Sequence, residues 1–259
     1  MSTILFHEIV FGPIHSRRMG SSLGINLLPF DGKLCSFDCI YCECGFNKDF
    51  RTNTKIPDRS NVKAALKEKL NHLKNEDKRI DVITFAGNGE PTIHPDFSGI
   101  IDDTIKLRDI YYPNTQISVL TNGMHLNKSL VFKSLQKIEK PIIKLDSAFD
   151  KTVRLLDRPN SQQYSVAKQI ELIKQFNGNF ILQTMFLKGE FEGNIIDNTT
   201  EKEVSAWLEL VRELKPFEVM IYTIDRETPA KTLKKATIEE LKNIAEKVEA
   251  MGIKTIVAG

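Results

Sequence analysis

The sequence predicts an α/β protein built around a parallel sheet. Six short apolar runs with the length and composition of buried strands alternate with six longer segments whose apolar residues recur at helical spacing. Parallel strands joined by right-handed helical crossovers produce this alternation. It fits both an open doubly wound sheet and an incomplete barrel, because the two architectures share the same order of elements.

The predicted strands and helices follow one another in strict alternation. The strands are expected at residues 24–28, 80–86, 116–120, 142–145, 180–187 and 217–222, with a short terminal strand at 253–257. The helices are expected at residues 61–74, 96–111, 128–138, 162–176, 200–214 and 238–251. The first helix carries one apolar stripe, which is formed by Val62, Leu66, Leu70 and Leu73.

The last two predicted helices begin with capping-box sequences. Thr200 stands three residues before Glu203, and Thr237 stands three residues before Glu240. In a capping box the threonine hydroxyl accepts from a helix amide, and the glutamate carboxylate accepts from the threonine amide. Trp207 lies on the apolar stripe of the 200–214 helix and is predicted to be a core residue rather than a stacking platform for a ligand.

Length and composition indicate one domain over residues 1–259. Hydrophobic residues make up 41% of the chain, and no internal repeat or Pro/Gly/Ser-rich linker divides it. No run approaches the roughly 20 apolar residues that a membrane-spanning helix needs. The 36 basic and 34 acidic side chains nearly balance, so the net charge does not point to nucleic acid. With only four cysteines and no apolar signal segment, we expect a cytoplasmic protein without a membrane partner.

All of the cysteines lie in the loop that follows the first predicted strand. Cys35, Cys39 and Cys42 have the spacing CxxxCxxC, and Cys44 follows two positions later. Three thiolates this close can hold three corners of a cubane iron–sulfur cluster and leave one iron open, whereas four thiolates would close every iron. Structural zinc is the alternative, but zinc sites usually pair two cysteine knuckles across a longer loop, and the sequence has no second pair. We therefore predict a metal site at Cys35, Cys39 and Cys42.

Two loops together resemble the radical S-adenosylmethionine (radical SAM) superfamily. Tyr41 is an aromatic residue just before the third cysteine, and residues 86–91, Ala-Gly-Asn-Gly-Glu-Pro, are similar to the superfamily's Gly-Gly-Glu-Pro motif, with Asn88 in place of its first glycine. The resemblance implies an α/β fold of the partial TIM barrel type, (β/α)6, with the cluster-binding loop after the first strand. It also implies a [4Fe–4S] cluster and S-adenosyl-L-methionine as cofactors, and an external one-electron donor such as flavodoxin or ferredoxin. The reaction it implies is hydrogen abstraction from a substrate by a 5′-deoxyadenosyl radical.

The same resemblance implies which residues contact the adenosylmethionine. The candidates are Tyr41, Gly87, Asn88, Gly89, Glu90, Asn122, Lys144, Asp146, Ser147 and Gln183. The glycine-rich run would hold the amino group of the methionine part. Lys144 and Asp146, which share a strand face, would bind its carboxylate and the ribose hydroxyls together with Ser147. From the residues alone, the glycine-rich run is also an ordinary turn, and the charged pair can satisfy itself at the rim of the sheet.

The N-terminal part of the chain extends the resemblance to a microbial group related to the wyosine-forming tRNA-modifying enzymes. It is carried by residues 11–20, Phe-Gly-Pro-Ile-His-Ser-Arg-Arg-Met-Gly, and residues 22–26, Ser-Leu-Gly-Ile-Asn. The wyosine-forming enzymes hold a second cluster with further N-terminal cysteines. No cysteine precedes Cys35 in this sequence, so we do not expect the wyosine reaction itself. The substrate stays open between a small molecule, an RNA base and a protein.

Two further questions stay open in the sequence. Arg17 and Arg18 are the best candidates for gripping an anionic group through charge-assisted hydrogen bonds, or else they pair with acidic residues such as Asp31 or Glu43. The role of Cys44 is also open. If it completes the metal ligands, the chain is a non-catalytic four-cysteine iron–sulfur electron carrier or a zinc-stabilised binding module; alternatively it takes part directly, as a methyl acceptor or hydrogen-atom donor.

Overall fold

The computed structural model describes residues 4–49 and 55–259, and its largest element is an eight-stranded sheet. The strands are β1 (Val10–Ser16), β2 (Gly20–Ile25), β3 (Val82–Phe85), β4 (Gln116–Thr121), β5 (Lys140–Lys144), β6 (Ile181–Met185), β7 (Leu187–Phe191), β8 (Asn194–Asp197), β9 (Glu218–Tyr222), β10 (Lys234–Lys235) and β11 (Lys254–Ala258). The helices are α1 (Arg59–Asn75), α2 (Phe97–Tyr111), α3 (Ser129–Leu135), α4 (Asp150–Leu156), α5 (Val166–Lys174), α6 (Glu201–Leu214) and α7 (Ile238–Glu249). In the described part of the chain, no helix has the length and hydropathy needed to cross a membrane.

All strands of the main sheet except β1 run parallel. The order is β1-β2-β3-β4-β5-β6-β9-β11, and β1 pairs antiparallel with β2 as a hairpin. Helices connect the successive parallel strands, as parallel pairing requires. The predicted α/β class is confirmed, and the predicted terminal strand is present as β11.

The sheet curls into a half-barrel, with one face covered by helices and the other enclosing an interior. On the helix-covered face, apolar side chains such as Leu182 belong to the main core. On the concave face, Ile142, Ile181 and Met220 form a separate small cluster, and Met19 from the β1–β2 turn packs against it. The hairpin turn therefore reaches into the half-barrel and fills part of its interior.

The structure contains elements that the sequence pattern does not predict. They are β1, the helix α4 and a second sheet with the strand order β10-β7-β8. The strand β1 carries a bulge between Phe11 and Ile14, and its burial does not alternate. Helix α4 has seven residues, too few for helical spacing to be recognised. The predicted strand 24–28 is instead Gly20–Ile25, and the predicted strand 180–187 divides into β6 and the start of β7.

The two predicted capping boxes have different outcomes. At α7, Thr237 accepts from the Glu240 amide and the Glu240 carboxylate accepts from the Thr237 amide, so the box is complete. At α6, Thr200 Oγ1 accepts from the Glu203 amide. The Glu203 carboxylate, however, accepts from the Ser147 hydroxyl at 2.6 Å. The capping box predicted at Thr200 is therefore only half formed, because the Glu203 carboxylate binds Ser147, just after β5, instead of the Thr200 amide.

Trp207 is a core residue, as predicted, with 1% of its surface exposed. Its Nε1 donates to the Thr184 hydroxyl of β6 at 3.1 Å, and its ring packs edge-on against Phe186. A buried indole N–H needs such a partner. The contact fixes α6 on the helix-covered face of the sheet.

Candidate active site

The cysteine loop follows β2, and its backbone is held by contacts that do not involve a metal. The Ile40 amide donates to the Leu156 carbonyl at the end of α4, at 3.0 Å. The Asn47 side chain ties the loop to itself: its Oδ1 accepts from the Cys35 amide at 2.9 Å and its Nδ2 donates to the Phe37 carbonyl at 3.0 Å. These hydrogen bonds pair the backbone of the loop within the protein and contribute to its position.

The sulfur of Cys35 accepts two N–H groups. The donors are the Phe37 amide, at 3.4 Å, and the side-chain amide of Asn122, at 3.6 Å. The same Asn122 amide donates to Ser36 Oγ at 2.9 Å. Hydrogen bonds of this kind orient sulfur ligands and tune the metal they hold. Asn122, a predicted cofactor contact, thus lies beside the cysteine loop.

Lys33 is a buried cation among the cysteines, and no pattern in the sequence indicates it. Only 1% of its side chain is exposed, and its Nζ lies 3.4 Å from Asp38 Oδ1. Burial lowers the pKa of Lys33, but the attraction of the three thiol groups and of Asp38 outweighs burial, so the pKa lies above its ordinary value. The lysine stays charged and favours negatively charged sulfur in this loop.

Cys42 and Cys44 differ in which form they favour. The hydrogen bond from Cys44 lowers the pKa of Cys42 to about 6, against the effect of burial, and Lys33 lowers it further. The same hydrogen bond, together with burial, raises the pKa of Cys44 far above its ordinary value. The Cys44 sulfur also lies 3.4 Å from the Gly87 carbonyl oxygen, which is the alternative acceptor for its single S–H. The two pKa shifts thus favour the thiolate at Cys42 and the thiol at Cys44.

The chemistry of the loop fits an iron–sulfur cluster. Cys35, Cys39 and Cys42 share the loop, N–H groups point at one sulfur, and Lys33 supplies a buried positive charge. A cluster held by thiolates is anionic, so both features favour it. Within residues 4–49 and 55–259, no three cysteine, histidine, aspartate or glutamate side chains converge on a single-ion site. The three predicted cysteines would hold the cluster.

The glycine-rich loop after β3 packs directly on the cysteine loop. The Leu34 amide donates to the Asn88 carbonyl at 2.9 Å, and the Glu90 amide donates to the Leu34 carbonyl at 3.1 Å. Gly89 has a φ of +135°, and a Cβ atom there would lie 1.9 Å from the Leu34 carbonyl oxygen. Only glycine permits this approach, so the glycine-rich loop sets where the cysteine loop lies relative to the sheet.

Asn88 fastens the N-terminal segment to the glycine-rich loop. Its side chain is fully buried; Nδ2 donates to the carbonyls of Phe6 and Pro29, at 2.8 and 2.7 Å, and Oδ1 accepts from the Phe6 amide at 2.9 Å. A glycine, as in the superfamily motif, would make none of these bonds. Ile4 and Phe6 consequently form part of the wall of a cavity beside the cysteines.

Glu90 joins the glycine-rich loop to the end of β4. Its buried carboxylate accepts from the Thr92 amide and hydroxyl at 3.1 and 2.6 Å, from the Thr121 hydroxyl at 2.8 Å and from the Asn122 amide at 2.7 Å. Burial raises the pKa of Glu90 above its ordinary value, although these hydrogen bonds act in the opposite direction. The carboxylate is fully used in holding the two loops together.

Lys144 and Asp146 lie together, as their shared strand face predicts, and Asp157 joins them. The Lys144 ammonium contacts the Asp146 carboxylate and lies 2.8 Å from Asp157. The Tyr41 hydroxyl donates to Asp146 and lies 3.2 Å from Asp157. Burial, followed by repulsion from Asp146, raises the pKa of Asp157 to about 8. Burial alone would lower the pKa of Lys144, but the two carboxylates hold it well above its ordinary value.

A cavity of about 310 Å³ lies between the cysteine loop, the strand ends and the β1–β2 turn. Its lining includes Cys42, Cys44, Gly87, Gln183, Tyr222 and Arg18. Of the predicted cofactor contacts, Tyr41, Gly87 and Gln183 line it. The others, Asn88, Gly89, Glu90, Asn122, Lys144, Asp146 and Ser147, are not among the lining residues. Most of these seven hold the lining residues in position, while the Ser147 hydroxyl is turned to Glu203.

The two arginines of the β1–β2 turn also line the cavity. Arg17 pairs with Asp225 at 3.2 Å, whereas Glu43, an expected partner, pairs with Arg226 at 2.7 Å. Arg18 instead lies over the ring of Tyr222, 4.7 Å from its centroid. The alternative of pairing with an acidic residue is therefore met for Arg17, although its partner is Asp225 and not Glu43.

The chain is similar to curated proteins over most of its length. It is 32% identical over 244 residues to the GTPase Obg of Brachyspira hyodysenteriae, which covers 93% of this chain and 33% of that protein. It is 31% identical over 245 residues to a UPF0026 protein of Methanocaldococcus jannaschii, which covers 91% of this chain and 70% of that protein. The chain thus spans a third of the first relative and about seven tenths of the second.

Solved structures share the half-barrel. A radical SAM methyltransferase from Sphaerobacter thermophilus superposes with a TM-score of 0.66 at 16% identity, over 91% of this chain and 65% of that chain. TYW1 with a lysine–pyruvate adduct bound, a wyosine-forming radical SAM enzyme, superposes with a TM-score of 0.59 at 12% identity, over 88% of this chain and 73% of that chain. At these identities the likeness shows the fold, a partial TIM barrel.

The sequence itself matches a family model. Residues 31–198 match the radical SAM superfamily, and this range contains the cysteine loop, the glycine-rich loop and the end of β5. Together with the UPF0026 relative, this match covers the part of the chain in which the loops are locked to one another. The chain therefore belongs to the radical SAM superfamily and, within it, to the group of UPF0026 proteins.

Proposed function

We propose that this chain is a radical SAM enzyme, an oxidoreductase or transferase whose substrate is unidentified. The proposal is supported by family membership and by one observation: Cys42, Gly87 and Gln183 line a single cavity, so a ligand bound there would meet the metal loop and the glycine-rich loop at once. A [4Fe–4S] cluster on Cys35, Cys39 and Cys42 would supply the electron that cleaves S-adenosyl-L-methionine to a 5′-deoxyadenosyl radical, which abstracts hydrogen from the substrate.

The side chains around the cluster loop would bind and orient. Lys33 offers a buried positive charge to an anionic cluster, and Asn122 donates to the Cys35 sulfur. Gly87 lines the cavity and, by resemblance, the glycine-rich loop would receive the amino group of the methionine part. By resemblance, Lys144 and Asp146 would meet the carboxylate and ribose of the adenosylmethionine.

The remaining machinery of the loop would set positions. Gly89 and Glu90 fix the glycine-rich loop against the cysteine loop, and Asn88 holds the N-terminal segment over the cavity. Tyr41 hydrogen-bonds to Asp146 and thereby connects the metal loop to the end of β5. Ser147 would act through its hydrogen bond to Glu203.

Cluster chemistry would also require a partner and a compartment. An external one-electron donor, such as flavodoxin or ferredoxin, would reduce the cluster. A cytoplasmic location is part of the proposal, because free thiols persist in a reducing compartment. The substrate would be a small molecule, an RNA base or a protein.

A closed four-cysteine site is the competing function. The observation that favours it is the hydrogen bond between Cys44 and Cys42, which brings a fourth sulfur next to the predicted ligands. If Cys44 binds metal, the chain would be an iron–sulfur electron carrier or a zinc-stabilised binding module. Both readings use the same loop, so metal content in cysteine variants separates them.

Matched cysteine variants test the proposal. After anaerobic reconstitution we expect about four iron and about four sulfide per chain, the cubane stoichiometry. Cys44→Ser should keep that content, and Cys39→Ser should lose it. Reduced wild-type protein should release 5′-deoxyadenosine. Loss of iron in Cys44→Ser, or a fully loaded and reduced wild type that never cleaves the cofactor, would contradict the proposed function.

A further inference from the structure

Arg18 is a cation in the cavity wall that lacks an acceptor for its charge. Its guanidinium lies 4.7 Å from the centroid of the Tyr222 ring, and its Nη1 is buried without a hydrogen-bond partner. In the described ranges no carboxylate forms an ion pair with it, although twenty other ion pairs are present there. Burying a charged donor without an acceptor is costly. The position therefore suits a ligand that brings the acceptor.

The backbone at Arg18 is held in position by its own turn. Ser16 Oγ accepts from the amides of Arg18 and Met19, at 3.3 and 3.2 Å. The Met19 side chain packs inside the half-barrel against the apolar cluster that includes Ile142. The turn is thus fastened on both sides of Arg18, and the guanidinium itself rests on the Tyr222 ring.

The neighbouring cations are already neutralised. Arg17 pairs with Asp225 at 3.2 Å, and Arg226 pairs with Glu43 at 2.7 Å. These two carboxylates also line the cavity, yet neither forms an ion pair with Arg18. An anion entering the cavity would therefore find one guanidinium that carries no ion pair, placed over the Tyr222 ring with its Nη1 unpartnered.

We propose that Arg18 binds an oxyanion of the substrate, a carboxylate or a phosphate carried by a small molecule. The inference rests on the proposed function and narrows its substrate class. A guanidinium forms charge-assisted, bidentate hydrogen bonds with both groups. A cavity of about 310 Å³ is within the range of small-molecule sites. The buried Nη1 favours a group that enters the cavity over a phosphate on the outside of a large RNA.

The carboxylate of the cofactor is the other oxyanion that Arg18 could receive. The superfamily match spans residues 31–198 and leaves out both Arg18 and Tyr222. Residues that bind a cofactor common to a superfamily are expected within the shared range. Arg18 lies outside the range shared across the superfamily, which assigns it to the substrate.

Binding of inorganic phosphate to the full-length chain without iron provides the first test. Calorimetric titration at constant ionic strength should show saturable binding, and Arg18→Gln should weaken it at least tenfold. Arg18→Lys, which keeps the charge without the fork, should fall between the two. Arg17→Gln is the matched control and should stay within twofold of wild type, because Asp225 already neutralises Arg17. Equal binding by wild type and Arg18→Gln, or equal loss in Arg17→Gln and Arg18→Gln, would overturn the proposal.

Binding of the cofactor provides the second test. With the reconstituted protein, Arg18→Gln should change the affinity for S-adenosyl-L-methionine and for its decarboxylated analogue by less than threefold. A tenfold loss confined to S-adenosyl-L-methionine would reassign the oxyanion to the cofactor and overturn the substrate assignment. The phosphate titration needs neither a cluster nor cofactor cleavage. A chain that binds phosphate through Arg18 but never cleaves the cofactor would therefore contradict the proposed function alone.

Discussion

Replacing Asn88 by glycine, the residue of the superfamily motif, would test whether one side chain fastens the N-terminal segment. The change removes the bonds to the Phe6 and Pro29 carbonyls, at 2.8 and 2.7 Å, and the bond from the Phe6 amide, at 2.9 Å. Each such bond contributes about 1 kcal/mol, and the added backbone freedom of glycine removes roughly a further 0.5–1 kcal/mol. We expect the free energy of unfolding to fall by about 3–4 kcal/mol on this reasoning.

Two measurements check this expectation. Urea unfolding can be followed by the fluorescence of Trp207, the single tryptophan of the chain. Hydrogen exchange at the Phe6 amide should become roughly 140- to 700-fold faster, since every 1.4 kcal/mol is a factor of ten. Asn88→Ala separates the lost hydrogen bonds from the effect of glycine and should cost slightly less.

An exposed asparagine supplies the matched control. Asn194 makes one side-chain bond, to the Glu192 carbonyl at 3.1 Å at the surface, so Asn194→Gly should cost less than about 1 kcal/mol. If Asn88→Gly unfolds at the same urea concentration as Asn194→Gly, and the Phe6 amide exchanges as in wild type, the assigned role of Asn88 is wrong.

Three further changes have expected outcomes. Glu90→Gln places an NH₂ group against hydrogen-bond donors that face a carboxylate in the wild type. It should lower the free energy of unfolding, measured in urea, by about 2 kcal/mol. An unchanged midpoint of urea unfolding would show that the four hydrogen bonds to Glu90 are dispensable. Lys33→Met should lower the iron content after reconstitution and make the cluster midpoint potential more negative, whereas Lys33→Arg should resemble wild type; equal potentials in all three would refute a role for the charge. Arg59, 2.8 Å from Asp103, holds the pKa of Asp103 below its ordinary value. The resulting stabilisation is present above the unfolded pKa of 3.8 and is lost as the pH falls through the lower folded pKa. Asp103→Asn should therefore lower the free energy of unfolding at neutral pH, and this free energy should fall less steeply as the pH is lowered. A fall with pH as steep as that of wild type would contradict this.

The features that the sequence predicts best depend on neighbouring residues. The alternation of buried strands and amphipathic helices recovers the parallel sheet, because each element shows its own period. The shared face of Lys144 and Asp146 follows from their spacing of two in a strand, and the structure places them in contact. Thr237 and Glu240 form their capping box because the Lys188 ammonium takes Oε1 of the Glu240 carboxylate and leaves Oε2 for the Thr237 amide.

The features that the sequence misses depend on contacts between distant segments. Asp157 completes the Lys144 network only because the short helix α4 turns the chain back, and that helix is too short to show a period. Lys33 has the character of a surface residue in the sequence, and its burial arises from loops that meet only in the fold. The Glu203 carboxylate leaves its predicted cap for Ser147, 56 residues away.

The apolar cluster around Met19 affects how ligands can enter the half-barrel. In its three strands, the cluster lies two residues before the polar side chains: Ile142 before Lys144, Ile181 before Gln183 and Met220 before Tyr222. The cluster therefore blocks the interior of the half-barrel one layer below these polar side chains. Ligands that bind above this apolar cluster would therefore enter through the cavity beside the cysteines. If the chain binds adenosylmethionine and a substrate there, as proposed, the ligand that lies deeper would have to bind first. We therefore expect the initial-rate inhibition patterns of ordered binding.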